Sequence, residues 1–212
     1  LHYPLRRQRQ MCIRDRLNSL VDTRASSQRK LKIYFAPQEY IYKVVGYWHP
    51  AFYSPTEDSI YILSYSIFEI SSESKLSLWM LFHEIGHAFH PSDQPKFLKE
   101  GIAEYFAYFV LLEMGFKDEA QSILARYISN PLADPLFNSS HFFDWDADFE
   151  RKYYDYSLYV VKDLVNSDPL IIRRLFQAFA KDGVSFSLIH NIQDRYGLFS
   201  YYFKKVAGED AV

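Results

Sequence analysis

His83, Glu84, Ile85, Gly86 and His87 form the string HEIGH, preceded by Leu76, Leu78, Trp79, Leu81 and Phe82 at helical spacing. One helical turn separates the two histidines, which puts their Cβ atoms on one face about 6 Å apart, close enough for both rings to meet one metal ion. Glu84 stands one position round from His83, beside the metal rather than on it, where a carboxylate can take a proton from a metal-activated water. Zinc suits this pattern, since it lowers the pKa of a bound water to about 7 while a neighbouring base removes the proton during attack. The bland reading of the same string is a core helix with two satisfied histidines. The segment that follows argues against it.

Phe97 to Tyr105 reads FLKEGIAEY and opens a second helical pattern running to Gly115. Asp93 or Ser92 can cap this helix, Pro95 suits its first turn and Gly115 its end. Glu100 and Glu104 share one face, while Leu98, Ile102, Phe106 and Phe109 form the apolar side. On an ordinary amphipathic helix such carboxylates are solvated charges. A catalytic zinc, however, takes three protein ligands and keeps one position open, with two histidines and a glutamate as one standard set, and the helix after the motif offers the carboxylate. A competing set, His83, His87 and Asp93, fits the spacing HExxHxxGxxD. That spacing needs a glycine for a sharp turn where this chain has His90, followed by Pro91. His90 is read instead as a loop residue or a support for the ligands.

Residues 79–105 resemble the gluzincin metallopeptidases, the thermolysin-like clan in which HExxH is followed by a downstream glutamate. FLKEGIAEYFA is similar to the W-L-x-E-G-x-A-E-Y segment of aminopeptidase-like members, and the resemblance implies that Glu100 is the third zinc ligand. It also implies that Glu104, one turn further on, supports His83 through the other ring nitrogen. The run from Tyr153 to Leu158 is similar to the tyrosine-x-x-small segment whose hydroxyl stabilises the oxyanion; Tyr154 matches with Ser157 as the small residue, and Tyr156 is the alternative register. The strand before the motif helix, here Ile60 to Leu63, would be the edge against which an extended substrate lies. Twelve residues separate His87 from Glu100, fewer than in thermolysin, which implies a short loop from Phe89 to Gln94 and a compact member of the clan.

The resemblance thus implies a peptidase with one Zn2+ held by His83, His87 and Glu100, with Glu84 and Tyr154 catalytic, acting on a peptide or protein substrate. An alternative is a protein that retains the zinc site for stability or partner binding without turnover. The intact Glu84 speaks against this, because a structural zinc needs no base. A third reading is a helical interaction protein with a chance motif.

The elements that must position these residues read as α+β: a small amino-terminal β-sheet packed on the HExxH helix, followed by a mostly helical carboxy-terminal part. Leu31 to Phe35, Tyr40 to Tyr47 and Ser59 to Leu63 read as strands, with a turn-rich stretch from Gly46 to Pro55 between the last two. After the second helix, helical patterns cover Glu119 to Ile128, Tyr153 to Val165, Pro169 to Lys181, Phe186 to Tyr196 and Phe199 to Val206. A polar loop from Asn130 to Asp148 carries Asp144, Asp146 and Asp148, but lacks the glycine and terminal glutamate of a calcium loop.

Met11 to Arg16 is the translation of a transposon end used in sequencing-library preparation, so residues 1–16 are expected to be non-native and 17–212 to form a single gluzincin-like domain, with sheet and motif helix in 17–90 and helices in 91–212. Cys12, the only cysteine, falls in the suspect part and says nothing about redox compartment. On the same reading a native leader would be lost, so localisation stays open, with an extracytoplasmic site slightly favoured. Residues 1–32 carry nine Lys/Arg and two Asp/Glu, whereas residues 33–212 carry 15 basic and 24 acidic side chains. An acidic body argues against nucleic acid as a partner. No run of apolar residues is long enough for a transmembrane segment.

Overall fold

The structure, a computed structural model, describes residues 31–46, 50–63, 75–91, 93–125, 140–143 and 151–208. The elements are β1 (Lys32–Ala36), α1 (Gln38–Val45), β2 (Ala51–Ser54), β3 (Ser59–Leu63), α2 (Lys75–His87), α3 (Lys96–Met114), α4 (Lys117–Ala125), α5 (Ser140–Phe143), α6 (Arg151–Ser167), α7 (Ile171–Asp182) and α8 (Ile192–Ala207). This is the expected α+β arrangement, a small sheet beside the motif helix followed by a mostly helical remainder. The expectations for residues 1–16, Ser92 and the Asp144 to Asp148 loop lie outside the described residues.

The sheet has the order β1-β3-β2, with β1 parallel and β2 antiparallel to the central β3. Alternate residues face opposite ways. Ala51, Ile60 and Ile62 pack on Leu81 and Ile85 of α2, while Tyr61 and Leu63 pack with Ala36 and Ile41 on the far face. Because β3 is central, it is not the substrate edge expected from the sequence. The strand beside the motif helix at the sheet margin is β2, which lies in the stretch whose sequence is rich in turn residues.

Tyr40 to Tyr47 was expected as a strand on its aromatic and β-branched content, yet Gln38–Val45 is helical. Pro37 stands at its start, and Gly46, at φ 84°, closes it by donating its N–H to the Tyr42 carbonyl. Ile41 is buried there while Tyr40, Tyr42 and Val44 are exposed, which does not follow the period-2 pattern that propensity suggests.

The larger core is built around α3, which is buried on almost every side from Phe97 to Leu111 and packs between α2 and α6. Two glycines permit this. A Cβ on Gly86 would lie 2.8 Å from Ala103 Cα, and one on Gly101 would lie 2.4 Å from the Ser157 carbonyl oxygen. They therefore set the close crossings of α2 with α3 and of α3 with α6. Gly115, at φ 91°, ends α3 as expected.

Further on, the segment read as a polar loop contains α5, whose Phe142 and Phe143 are buried against Phe97. The two helices expected over Phe186 to Tyr196 and Phe199 to Val206 are instead an irregular stretch and one continuous α8. Asn191 caps α8 by accepting the Gln193 N–H at 2.8 Å, and the helix runs through Gly197. A glycine inside a helix is unfavourable by about 1 kcal/mol, which the packing of Phe199 and Tyr202 on Phe179 of α7 outweighs.

Candidate metal centre

α2 places Trp79, His83 and His87 on one stripe, each one turn from the next, and α3 places Glu100 and Glu104 opposite them. His83 Nε2 and His87 Nε2 face each other at 3.0 Å. Glu100 Oε2 lies 3.3 Å from His83 Nε2 and 3.2 Å from His87 Nε2. Ligand atoms set tetrahedrally around zinc at 2.0–2.1 Å stand about 3.3 Å apart, so this triangle has the dimensions such an ion requires. Two ring nitrogens turned on each other can share at most one hydrogen, which is a further mark of a site shaped for a common cation. His83, His87 and Glu100 are the group able to hold a metal ion among the described residues.

The ligands are supported from behind. Glu104, buried, accepts the indole N–H of Trp79 on Oε2 at 2.9 Å and turns Oε1 towards His83 Nδ1 at 3.4 Å. Neither of those last two atoms has a well-formed hydrogen bond elsewhere among the described residues. His87 Nδ1 lies 3.2 Å from Nε2 of the buried His90. The sequence presents Trp79 only as an apolar helix residue, and Gln94 only as the end of a loop. The signal available for Trp79 was its place on the histidine stripe together with the rule that a buried indole N–H takes a partner.

Without a metal, burial by itself would lower the pKa of His83, but its contacts with Glu100 and Glu104 prevail and raise it to about 10. Burial opposes ionisation of Glu100 too, yet the field of His87 and hydrogen bonds from both histidines hold its carboxyl well below the usual range. Burial lowers His87, and it takes His90 down to about 3. Glu84, also buried, is raised to about 7 by desolvation, with a backbone N–H of Tyr53 acting in the opposite direction. That N–H is available because Leu63 N donates to Pro50 O at 2.9 Å, a register in which Phe52 and Ser54 pair with β3 and Tyr53 turns its amide away from it. β2 thus meets Glu84 directly.

The remaining expectations separate cleanly. Tyr154 of α6 lies beside the centre, its ring centroid 6.1 Å from that of His83. Tyr156 is fully buried and packs against Phe142 in the core. Ser157 is buried, its hydroxyl donates to the Tyr153 carbonyl at 2.7 Å, and its own carbonyl lies against Gly101. Asp93 is neither a ligand nor a helix cap: its carboxylate accepts the Ser185 hydroxyl at 2.5 Å and the Ser187 N–H at 2.7 Å, tying the loop after α2 to the loop before α8. Comparison with protein-family models, curated proteins and solved structures gave no match for this chain.

Proposed function

We propose that this protein is a zinc-dependent peptidase of the gluzincin type, with His83, His87 and Glu100 as ligands. The observation that carries the reading is the triangle of His83 Nε2, His87 Nε2 and Glu100 Oε2, 3.0 to 3.3 Å on a side, with the buried Glu84 next in the chain to one of its corners. A bound zinc would supply Lewis-acid activation of a water and polarisation of a peptide carbonyl. Glu84 takes the proton of the attacking water and returns it to the leaving amine, as a general base that becomes a general acid. The Tyr53 amide holds that carboxylate in place. Tyr154, from the next helix packed on α3, donates its hydroxyl to the oxygen that gains charge. Trp79 and Glu104 orient His83.

No helix among the described residues is long and apolar enough to cross a membrane, and the acidic body favours a peptide or protein substrate over nucleic acid. The test pairs metal analysis with peptide hydrolysis. The purified protein should hold about one zinc per chain and cleave a peptide library, and Glu84→Gln should keep the metal while losing at least about a hundredfold in rate. Zinc retained with no hydrolysis by the wild type would favour the alternative, a zinc-binding protein without turnover. No zinc after reconstitution would remove both.

A further inference from the structure

Resting on the ligand assignment above, we infer that His90 is a positioning residue for the second histidine ligand: its Nε2 accepts the His87 Nδ1–H, and its own Nδ1–H is anchored on the Pro91 carbonyl. The contacts are 3.2 Å from His87 Nδ1 to His90 Nε2 and 2.9 Å from His90 Nδ1 to Pro91 O. The two rings stand nearly perpendicular, with centroids 5.3 Å apart. A neutral imidazole has one donor and one acceptor nitrogen, so fixing the proton on one ring dictates it on the next.

Gln94 makes the choice consequential. Its Nε2 lies 2.8 Å from Pro91 O and 2.7 Å from His90 Nδ1, while its buried Oε1 has no hydrogen-bond partner among the described residues. Reversing the amide would set Oε1 against the Pro91 carbonyl oxygen, two acceptors in contact, though Oε1 would then accept His90 Nδ1–H and hold the same tautomer; with the nitrogen as it stands the Pro91 contact is a hydrogen bond. Two proton arrangements then compete. In one, Gln94 donates into His90 Nδ1, and His90 Nε2–H donates to His87 Nδ1. That leaves the His87 proton on Nε2, where the ligating lone pair must be. In the other, His90 Nδ1–H and Gln94 Nε2–H both point at Pro91 O, whose two lone pairs accept them at the cost of setting two donor nitrogens 2.7 Å apart, and His90 Nε2 is open to His87 Nδ1–H. Only the second leaves His87 Nε2 able to bind a metal. His90 therefore does for His87 what Glu104 does for His83, with a neutral ring and a backbone carbonyl in place of a carboxylate.

The experiment uses the whole chain labelled with 15N-histidine, loaded with zinc, and read by two-bond 1H–15N correlation spectra. His87 and His90 should both appear as Nδ1–H tautomers. His90 as the Nε2–H tautomer, or as the cation, would overturn the inference with no mutation needed. Zinc affinity measured against a competing chelator gives a second reading. His90→Phe, which keeps a ring and loses the acceptor, should weaken binding about 10- to 100-fold, and His90→Asn, whose carbonyl can accept, should recover part of the loss. Unchanged affinity in His90→Phe would overturn the inference while leaving the peptidase reading intact. A wild-type protein that takes up no zinc would remove the ligand assignment itself, and this inference with it.

Discussion

At the scale of single residues, the centre is defined by which atom of each side chain is committed to what. His83 and His87 turn Nε2 inwards and Nδ1 towards Glu104 and His90 respectively. Glu104 is in turn divided between two partners, His83 and Trp79. Removing it should leave the three ligands in place and loosen the metal rather than abolish binding. Glu104→Ala is expected to weaken zinc affinity by about 10- to 100-fold, and Trp79→Phe to weaken it by less, since the carboxylate stays but loses one anchor. Chelator competition measures both, and an order in which Trp79→Phe is the more damaging would show the Glu104 to His83 contact to be unimportant.

At the scale of elements, the site depends on how closely helices approach. Glu100 and Glu104 reach the histidines because α3 crosses both α2 and α6 at positions where glycine leaves room. Gly101→Ala would press a methyl group onto the Ser157 carbonyl, a backbone atom that cannot turn aside. The expected loss is about 1–3 kcal/mol, the usual range for overpacking, with weaker zinc binding because the helix that shifts carries the third ligand. Gly197 in α8 is the internal control, since a Cβ there meets nothing within 4 Å. Gly197→Ala should stabilise by about 0.5–1 kcal/mol and leave zinc affinity unchanged. Urea unfolding of the two variants checks the contrast, and equal effects would mean that the crossings are not tight.

At the scale of the whole molecule, metal and proton compete for one place. Zinc at a thousandfold excess over its Kd should stabilise the fold by about 4 kcal/mol, which raises Tm by roughly 8–16 °C for a chain of this length. The metal-free protein should respond to pH in a definite direction. The folded value of His83, about 10, lies above its ordinary 6.5, so its stabilisation is complete below 6.5 and is lost as pH rises through about 10. Glu84 acts in the same sense, because burial raises it to about 7 and its penalty grows as it ionises. Thermal scans of the metal-free chain should therefore show Tm falling from pH 7 to pH 10, and a flat or rising profile would contradict the contacts of His83 with Glu100 and Glu104.

Much of the site was legible in the sequence because it is local. HEIGH sets two of the candidate ligands and the proposed base in place by helical periodicity alone, and Glu100 and Glu104 share a face for the same reason. The helices ending at His87 and Gly115 and the strand Ser59–Leu63 came from short-range patterns as well. The tertiary structure decided whatever depends on a neighbour far along the chain. Whether Tyr154 or Tyr156 faces the centre is a matter of which side of α6 packs on Phe142. Asp93 is bound by Ser185 and Ser187, more than ninety residues away. Gln38–Val45 became a helix bounded by Pro37 and Gly46 with Ile41 turned into the core, which intrinsic preference does not encode. Trp79 acquired its place from a carboxylate on another helix. Periodicity fixes the face of an element on which a side chain stands, and only packing fixes what that face meets.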